Sequence, residues 1–317
     1  MKITSLLSPI ASLVLVLAQA LLASSVARHN LGNPVAIDRA SDSAIYVLSA
    51  DREVRRFAVS GERIVPDPKG QFPVVGSPVD FTYSRFGQVE SLFICSINLG
   101  KGVISRYSLE GKVIGSWWLW HPCGGLDYDP TEQILYFGTT DTREIYRIDI
   151  KSDRGPESLG LLPPMEKMGP VALDHTRKIL YVGDISGGAL FEFNLATRSS
   201  RTLTSEGAHF GTIAALYVDL TSQSLCIVDG VAQTVLSTKL GSPSPSGQQT
   251  STASRAVSRR QNTPPSGQQT HIIVHDPQLI NPSGVVPLDR GRYLVSDYEA
   301  NALFLVSADG KIVARFP

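Results

Sequence analysis

The last stretch of the chain, Gly291 to Phe316 (GRYLVSDYEANALFLVSADGKIVARF), sets short apolar runs between polar breaks. Tyr293 to Val295 ends at Asp297, Leu303 to Val306 follows Glu299 and Asn301, and Ala308-Asp309-Gly310 leads into Lys311 to Phe316. Apolar runs this short, closed off by Asp, Asn and Gly, read as β-strands. The Asp309-Gly310 pair predicts a type I′ hairpin, whose two central residues need positive φ. Just upstream, Asn281 to Asp289 (NPSGVVPLD) supplies a fourth strand.

The same unit recurs. Inner strands start at NPVAID (Asn33), SPVDFT (Ser77), PCGGLDYD (Pro122), GPVALD (Gly169) and TIAALYVD (Thr212), spaced by about 45 residues. A second marker keeps step at the end of each following strand, at Asp51, Asn98, Asp141, Asp184, Asp229 and Asp297. Two markers with one period are the signature of a propeller. Six copies predict an all-β fold, a six-bladed β-propeller of four-stranded antiparallel blades filling residues 28–317. The longer final interval is explained by residues 241–270, rich in Ser, Pro, Gln and Thr, in which PSGQQT occurs twice, at Pro245 and Pro265. With almost no aliphatic residues, this segment cannot offset its ordering entropy and reads as a disordered insert in blade five. The strand HIIVHD resumes after it. Arg255, Arg259 and Arg260 within it read as solvated charge.

At the other end, Met1-Lys2, the apolar run Ile10 to Ala23 and Ser25-Val26-Ala27 have the three parts of a secretory signal peptide, with cleavage expected after Ala27. The rival reading is an uncleaved anchor from Leu6 to Ala27, against which Pro9 and Gln19 weigh. The mature protein is then expected to be extracellular, free in solution and monomeric. Its ends nearly coincide with a blade boundary, so ring closure is expected to rest on side-chain packing between blades one and six. Of the three cysteines, Cys226 reads as a small buried apolar residue. Cys95 and Cys123 fall near the inner ends of adjacent repeats, leaving a disulfide and two free thiols as open alternatives.

Lysine plus arginine and aspartate plus glutamate number 29 each, so the chain carries no electrostatic footprint for nucleic acid or an anionic membrane. In a propeller, inner-strand starts and second-strand ends open on one face around a central channel. Expected there for ligand binding are Asn33, Lys167 and Asn281. Expected for acid and base chemistry are His121, His209, Asp141 and Asp184, because His121, His209 and Lys167 break the repeat. A carboxylate present in every blade is better explained as an acceptor for turn N–H groups. Other motifs fail. His271 and His275 are about 13 Å apart along a strand, too far to share a metal. GDISGG at Ser186 has the wrong glycine spacing for a nucleophile elbow. Trp117, Trp118 and Trp120 read as outer-strand packing or as a patch for sugar or lipid.

With six blades, the inner-strand pattern Pro-x-Gly/Ala-apolar-x-apolar-Asp and second strands ending Tyr-Val-x-Asp, the chain resembles the NHL-repeat and SMP-30/gluconolactonase-like propellers. That group includes calcium- or zinc-dependent lactonases, strictosidine synthase-like enzymes, biosynthetic cyclases and plain binding propellers. The resemblance implies a divalent cation held by an Asp closing a second strand, a role open to Asp141 and Asp184, and by an Asn in the segment matched by CGGLDYD, where this chain has Gly124. The early glutamate of that group has no counterpart near Asn33. Three functions follow as expectations: a secreted propeller binding, and turning over, a small molecule at its channel mouth; a metal-dependent lactonase or ester hydrolase; and a non-catalytic protein-interaction propeller. If the chain is an enzyme, the resemblance implies a hydrolase or a biosynthetic lyase or cyclase.

Overall fold

The computed structural model describes residues 31–40, 44–152, 154–204, 210–240 and 270–317. The expected signal peptide, His209 and all of the expected insert except Thr270 lie outside the described residues. The chain forms six antiparallel sheets of four strands, each sheet built from one contiguous stretch of sequence. The inner strands, Pro34–Arg39, Ser77–Phe86, Cys123–Asp129, Met168–Asp174, Ile213–Asp219 and Pro282–Pro287, neighbour one another in ring order, and the sixth returns to the first. This is the six-bladed propeller.

Second strands lie between two neighbouring blades and are covered on both faces, so they read as unbroken apolar runs. Ile179–Asp184 and Ser224–Asp229 are buried at every position. Outer strands meet solvent on one side and alternate, as in Val113–Trp118 and Ile312–Phe316. The core is therefore divided into six apolar clusters, each shared by two adjacent blades.

Every inner strand carries a register shift against its second strand near its start, between Pro34 and Ala36 in blade one and between Pro282 and Gly284 in blade six. A bulge there adds twist where the strands crowd towards the axis. The crowding is visible at Gly125, where a Cβ would lie 2.8 Å from the backbone of Gly169 and of Val171 in the next blade. The Asp309-Gly310 hairpin differs from expectation. Only Gly310 has positive φ, and its N–H donates to Ser307 O, so a type I turn followed by a left-handed glycine makes a bulged three-residue loop. Cys95 and Cys123 are disulfide-bonded, joining the second strand of blade two to the inner strand of blade three, and Cys226 is free and buried.

Among the described residues no strand is exchanged between the chain ends. Leu31, Ile37 and Phe57 of blade one pack against Leu294, Leu303 and Leu305 of blade six, and Phe57 meets Phe316 edge-on at 5.2 Å between ring centres. Polar contacts add to this closure: Asn33 N–H donates to Asn301 Oδ1 at 2.8 Å, and Ser283 Oγ donates to Pro34 O at 2.7 Å. Closure thus rests on side chains, as the sequence leads one to expect. Deleting Lys311 to Pro317 removes the last strand and Phe316 from this interface, a loss of roughly 2–4 kcal/mol. Thermal unfolding should then shift down by roughly 5–15 °C; an unchanged Tm would contradict closure by packing.

Candidate functional site: the central channel and its upper face

Strand direction defines two faces. Inner strands start, second strands end and blades are linked on one, here called the upper face; hairpins such as Asp129–Gln133 lie on the other. The third strand of blade five, Thr234–Lys239, ends on the lower face, where its outer strand Thr270–His275 starts.

On the upper face the expected six-fold aspartate marker separates into two positions. Asp184, Asp229 and Asp297 pair with the starts of their inner strands, at Met168, Ile213 and Pro282. In blades one to three those pairing positions hold Ser49, Ser96 and Thr139. Asp51, Asn98 and Asp141 stand two residues further on. The first group is buried and accepts backbone N–H groups. Asp184 takes four, from Glu166, Lys167, Ser186 and Gly187 at 2.8–3.1 Å. Burial raises its pKa, but these hydrogen bonds outweigh that and hold it below the usual carboxylate value. Asp297 likewise accepts from Ile280, Asn281 and Ala300. Asp51 and Asp141 are exposed; Asp51 pairs with Arg55, and Asp141 Oδ2 lies 3.0 Å from His121 Nδ1.

The structure therefore brings together His121 and Asp141 at the rim of blade three, both open to solvent. Asp184 is engaged in a loop of blade four, and the Lys167 side chain is exposed there. Asn33 spans the ring closure, donating from Nδ2 to Tyr298 O at 2.9 Å. Of the expected residues, Asn281 belongs to the channel lining. Among the described residues no three His, Cys, Asp or Glu side chains converge on a point where a metal could be held. At Gly124 a Cβ would lie 2.6 Å from Met168 O, so the backbone of blade four leaves no room for an asparagine there. The donor set does not fit the divalent cation that the lactonase resemblance implies.

The channel itself encloses about 550 Å³ and holds groups that the sequence reading passed over. Asp38, Asp80 and Asp127 line it on the inner strands of blades one to three. Each ties its blade to the next: Asp38 Oδ2 accepts Tyr83 N–H at 2.7 Å, Asp80 Oδ2 accepts Leu126 N–H at 3.1 Å, and Asp127 Oδ2 accepts Leu173 N–H at 2.7 Å. Thr82 Oγ1 lies between two of them, 3.4 Å from Asp38 Oδ2 and 3.3 Å from Asp127 Oδ1. A hydroxyl has one proton to donate, so it can satisfy only one carboxylate at a time. Tyr217 of blade five also lines the channel. Its phenol pKa is pushed up by burial and then by the charges of Asp38 and Asp127. His175 lines the channel towards the lower end of the inner strands.

These three carboxyls keep part of their surface open to the channel while lying deep between blades. Desolvation lifts Asp38 to about 6, Asp127 to about 7 and Asp80 to about 8, against backbone hydrogen bonds that pull each of them down. Mutual repulsion adds to the rise, Asp127 and Asp38 acting on Asp80. The available signal for Asp38 and Asp127 was a carboxylate inside an apolar inner strand, at the position where blades four to six have Ala172, Tyr217 and Val286; in blade two that position is Thr82, and Asp80 stands two residues before it.

No protein-family model and no curated protein sequence matches the chain. Solved structures do match. A catalytically inactive virginiamycin B lyase from Staphylococcus aureus, determined with quinupristin, superposes with a TM-score of 0.59 at 11% identity, over 92% of this chain and 86% of that one. A streptogramin B lyase gives 0.57 at 11% identity, over 90% and 83%. A chain of the nidogen/laminin complex gives 0.60 at 14% identity, over 84% and 90%. At these identities the likeness is one of fold.

Raised carboxyl pKa values make a prediction about pH. The unfolded chain ionises these groups near 4, so the stability they contribute is complete below that value and is lost as pH rises through 6 to 8. Stability should fall by an amount on the order of a few kcal/mol between about pH 5 and pH 8.5. Asp80→Asn should flatten the decline in Tm, and a Tm that instead rises across this range would contradict the assignment.

Proposed function

We propose that this chain is a small-molecule-binding propeller whose ligand sits in the central channel and carries a positive charge, such as an alkyl- or arylammonium group. The observation that carries this reading is the arc Asp38–Thr82–Asp127, faced by Tyr217. Two carboxyls share one hydroxyl there, with a third, Asp80, close enough to feel them. Their ionisation is suppressed by burial, with mutual repulsion adding to the rise at Asp80 and Asp127. Arg39, which also lines the channel, bonds Pro287 O and Asp289 at the lower end. An ammonium group entering the channel stabilises the ionised carboxylates, so its binding releases protons near neutral pH. The phenol of Tyr217 can orient the ligand by a hydrogen bond.

Calorimetry with benzylamine and spermidine as probes, in buffers of different ionisation enthalpy, tests this. Binding by the wild type with proton release is expected. A weakening of at least about tenfold is expected in Asp38→Asn/Asp127→Asn, in line with the loss of a buried charge partner. Equal binding of acetate, or amine binding that survives the double substitution, would rule the reading out.

A second reading, turnover of the ligand by acid and base chemistry at the upper rim, is favoured by the 3.0 Å contact between His121 and Asp141. A carboxylate on one ring nitrogen orients the imidazole and supports proton transfer at the other. His209 and Asp184 are its further expected participants. Loss of turnover in His121→Ala with ligand binding retained would support it. Placement among the NHL-repeat and SMP-30/gluconolactonase-like propellers rests on the repeated motifs. Secretion rests on the apolar N-terminal run and accords with the disulfide.

A further inference from the structure

The three channel carboxyls repeat one local arrangement at two heights. In each, Oδ1 accepts the N–H of the following residue, Arg39, Phe81 or Tyr128, while Oδ2 accepts the N–H from the next blade. Register against the second strands gives the heights. Asp38 and Asp127 stand opposite Tyr46 and Tyr136, at the level that Thr82, opposite Phe93, takes in blade two and Tyr217, opposite Cys226, takes in blade five. Asp80, opposite Cys95, comes two residues before Thr82 on the same strand, so it stands nearer the upper mouth. Two residues of strand set the levels about 7 Å apart. Because the side-chain arrangement is the same in all three, the carboxyl groups keep that offset along the axis.

What lies between the two levels is apolar. Ile37, Phe81, Leu126, Val171, Leu216 and Val285, one from each blade, occupy the intervening position, and all six line the channel. At the upper level Asp80 shares the wall with Ala36, Ala215 and Gly284, which are small and uncharged. The basic residues of the lining, Arg39 and His175, both follow the lower carboxyl level in their strands and so stand beneath it. A buried carboxyl ionises once a positive charge reaches it. The channel thus offers such groups at two heights, with hydrocarbon between them and a repelling guanidinium below. A single metal ion does not match this pattern, since among the described residues no three His, Cys, Asp or Glu side chains converge.

We propose that the channel ligand is a linear α,ω-diammonium compound, with one ammonium held by Asp38 and Asp127 beside Thr82, the other held by Asp80, and the methylene chain lying along the apolar ring. This rests on the reading of the channel as an ammonium site, to which it adds a second charge and a length. An extended chain advances roughly 1.2 Å per bond, a third of the span of one residue, so four or five methylenes set the two nitrogens roughly 6–8 Å apart. Diaminobutane and diaminopentane have that span.

Calorimetry on the full chain near neutral pH tests this by comparing 1,4-diaminobutane with pentylamine, in which a methyl group replaces the second ammonium. Apolar transfer alone favours pentylamine. A charge-assisted contact at Asp80 should instead make the diamine bind at least about tenfold more tightly. Among diamines, affinity should peak at four or five methylenes and fall for 1,3-diaminopropane, a comparison that needs no variant. In Asp80→Asn the ratio of diamine to pentylamine affinity should drop to about one, whatever happens to either affinity alone. Pentylamine binding as tightly as the diamine in the wild type would overturn the second charge and leave the ammonium reading standing, whereas failure of both amines to bind would remove the two together. A ratio that survives Asp80→Asn, or a diamine series without a length optimum, would overturn the place given to Asp80.

Discussion

The hydrogen bond from an inner-strand carboxylate to a backbone N–H of the next blade is the interaction on which the channel depends. It is made at Asp38, Asp80 and Asp127, joining blades one to four in succession. Apolar clusters supply the bulk of the attraction between blades, but that attraction is non-directional. A carboxylate fixed on a neighbouring N–H sets the register of one inner strand against the next. The same groups then face the axis, where their desolvation becomes the dominant electrostatic feature of the molecule. Structural stitch and candidate ligand group are thus one set of atoms.

The rest of the architecture follows from how a ring distributes its contacts. Each second strand is covered on both sides and each outer strand on one, which fixes the apolar runs and the alternation that mark them. Because every cluster belongs to two blades, the junction of blades six and one is one of six comparable interfaces and needs no exchanged strand. Polar atoms at the upper face divide by depth. Buried Asp184, Asp229 and Asp297 collect loop N–H groups, whereas exposed Asp51 and Asp141 pair with Arg55 and His121.

Architecture was legible in the sequence because it is written six times. The inner-strand starts and the apolar second strands repeat, and the closing blade showed all four strands. The turn at Asp309-Gly310 was legible as a turn but not as a type, since a bulge of one residue leaves no separate mark. The aspartate marker misled for a related reason: Asp141 and Asp184 both end strand-like runs, and a two-residue offset shows only once Thr139 is seen to pair with Cys123. The channel was hardest to read. Asp38 ends NPVAID as Asp174 ends GPVALD, and so looks structural, and nothing local says that Thr82 and Tyr217, distant in sequence, meet Asp38 and Asp127 at the axis.

Burial within the channel holds these inner-strand carboxyls protonated well above the ordinary carboxylate range. Infrared titration of the carboxylic-acid C=O stretch, with Asp38→Asn, Asp80→Asn and Asp127→Asn used in turn to assign the signals, measures this protonation most directly. Three protonated carboxyls are expected to lose their signal at about pH 6, 7 and 8, in the order Asp38, Asp127, Asp80. A protein whose carboxylic-acid signal has vanished entirely by about pH 5, as for ordinary solvated carboxylates, would contradict this.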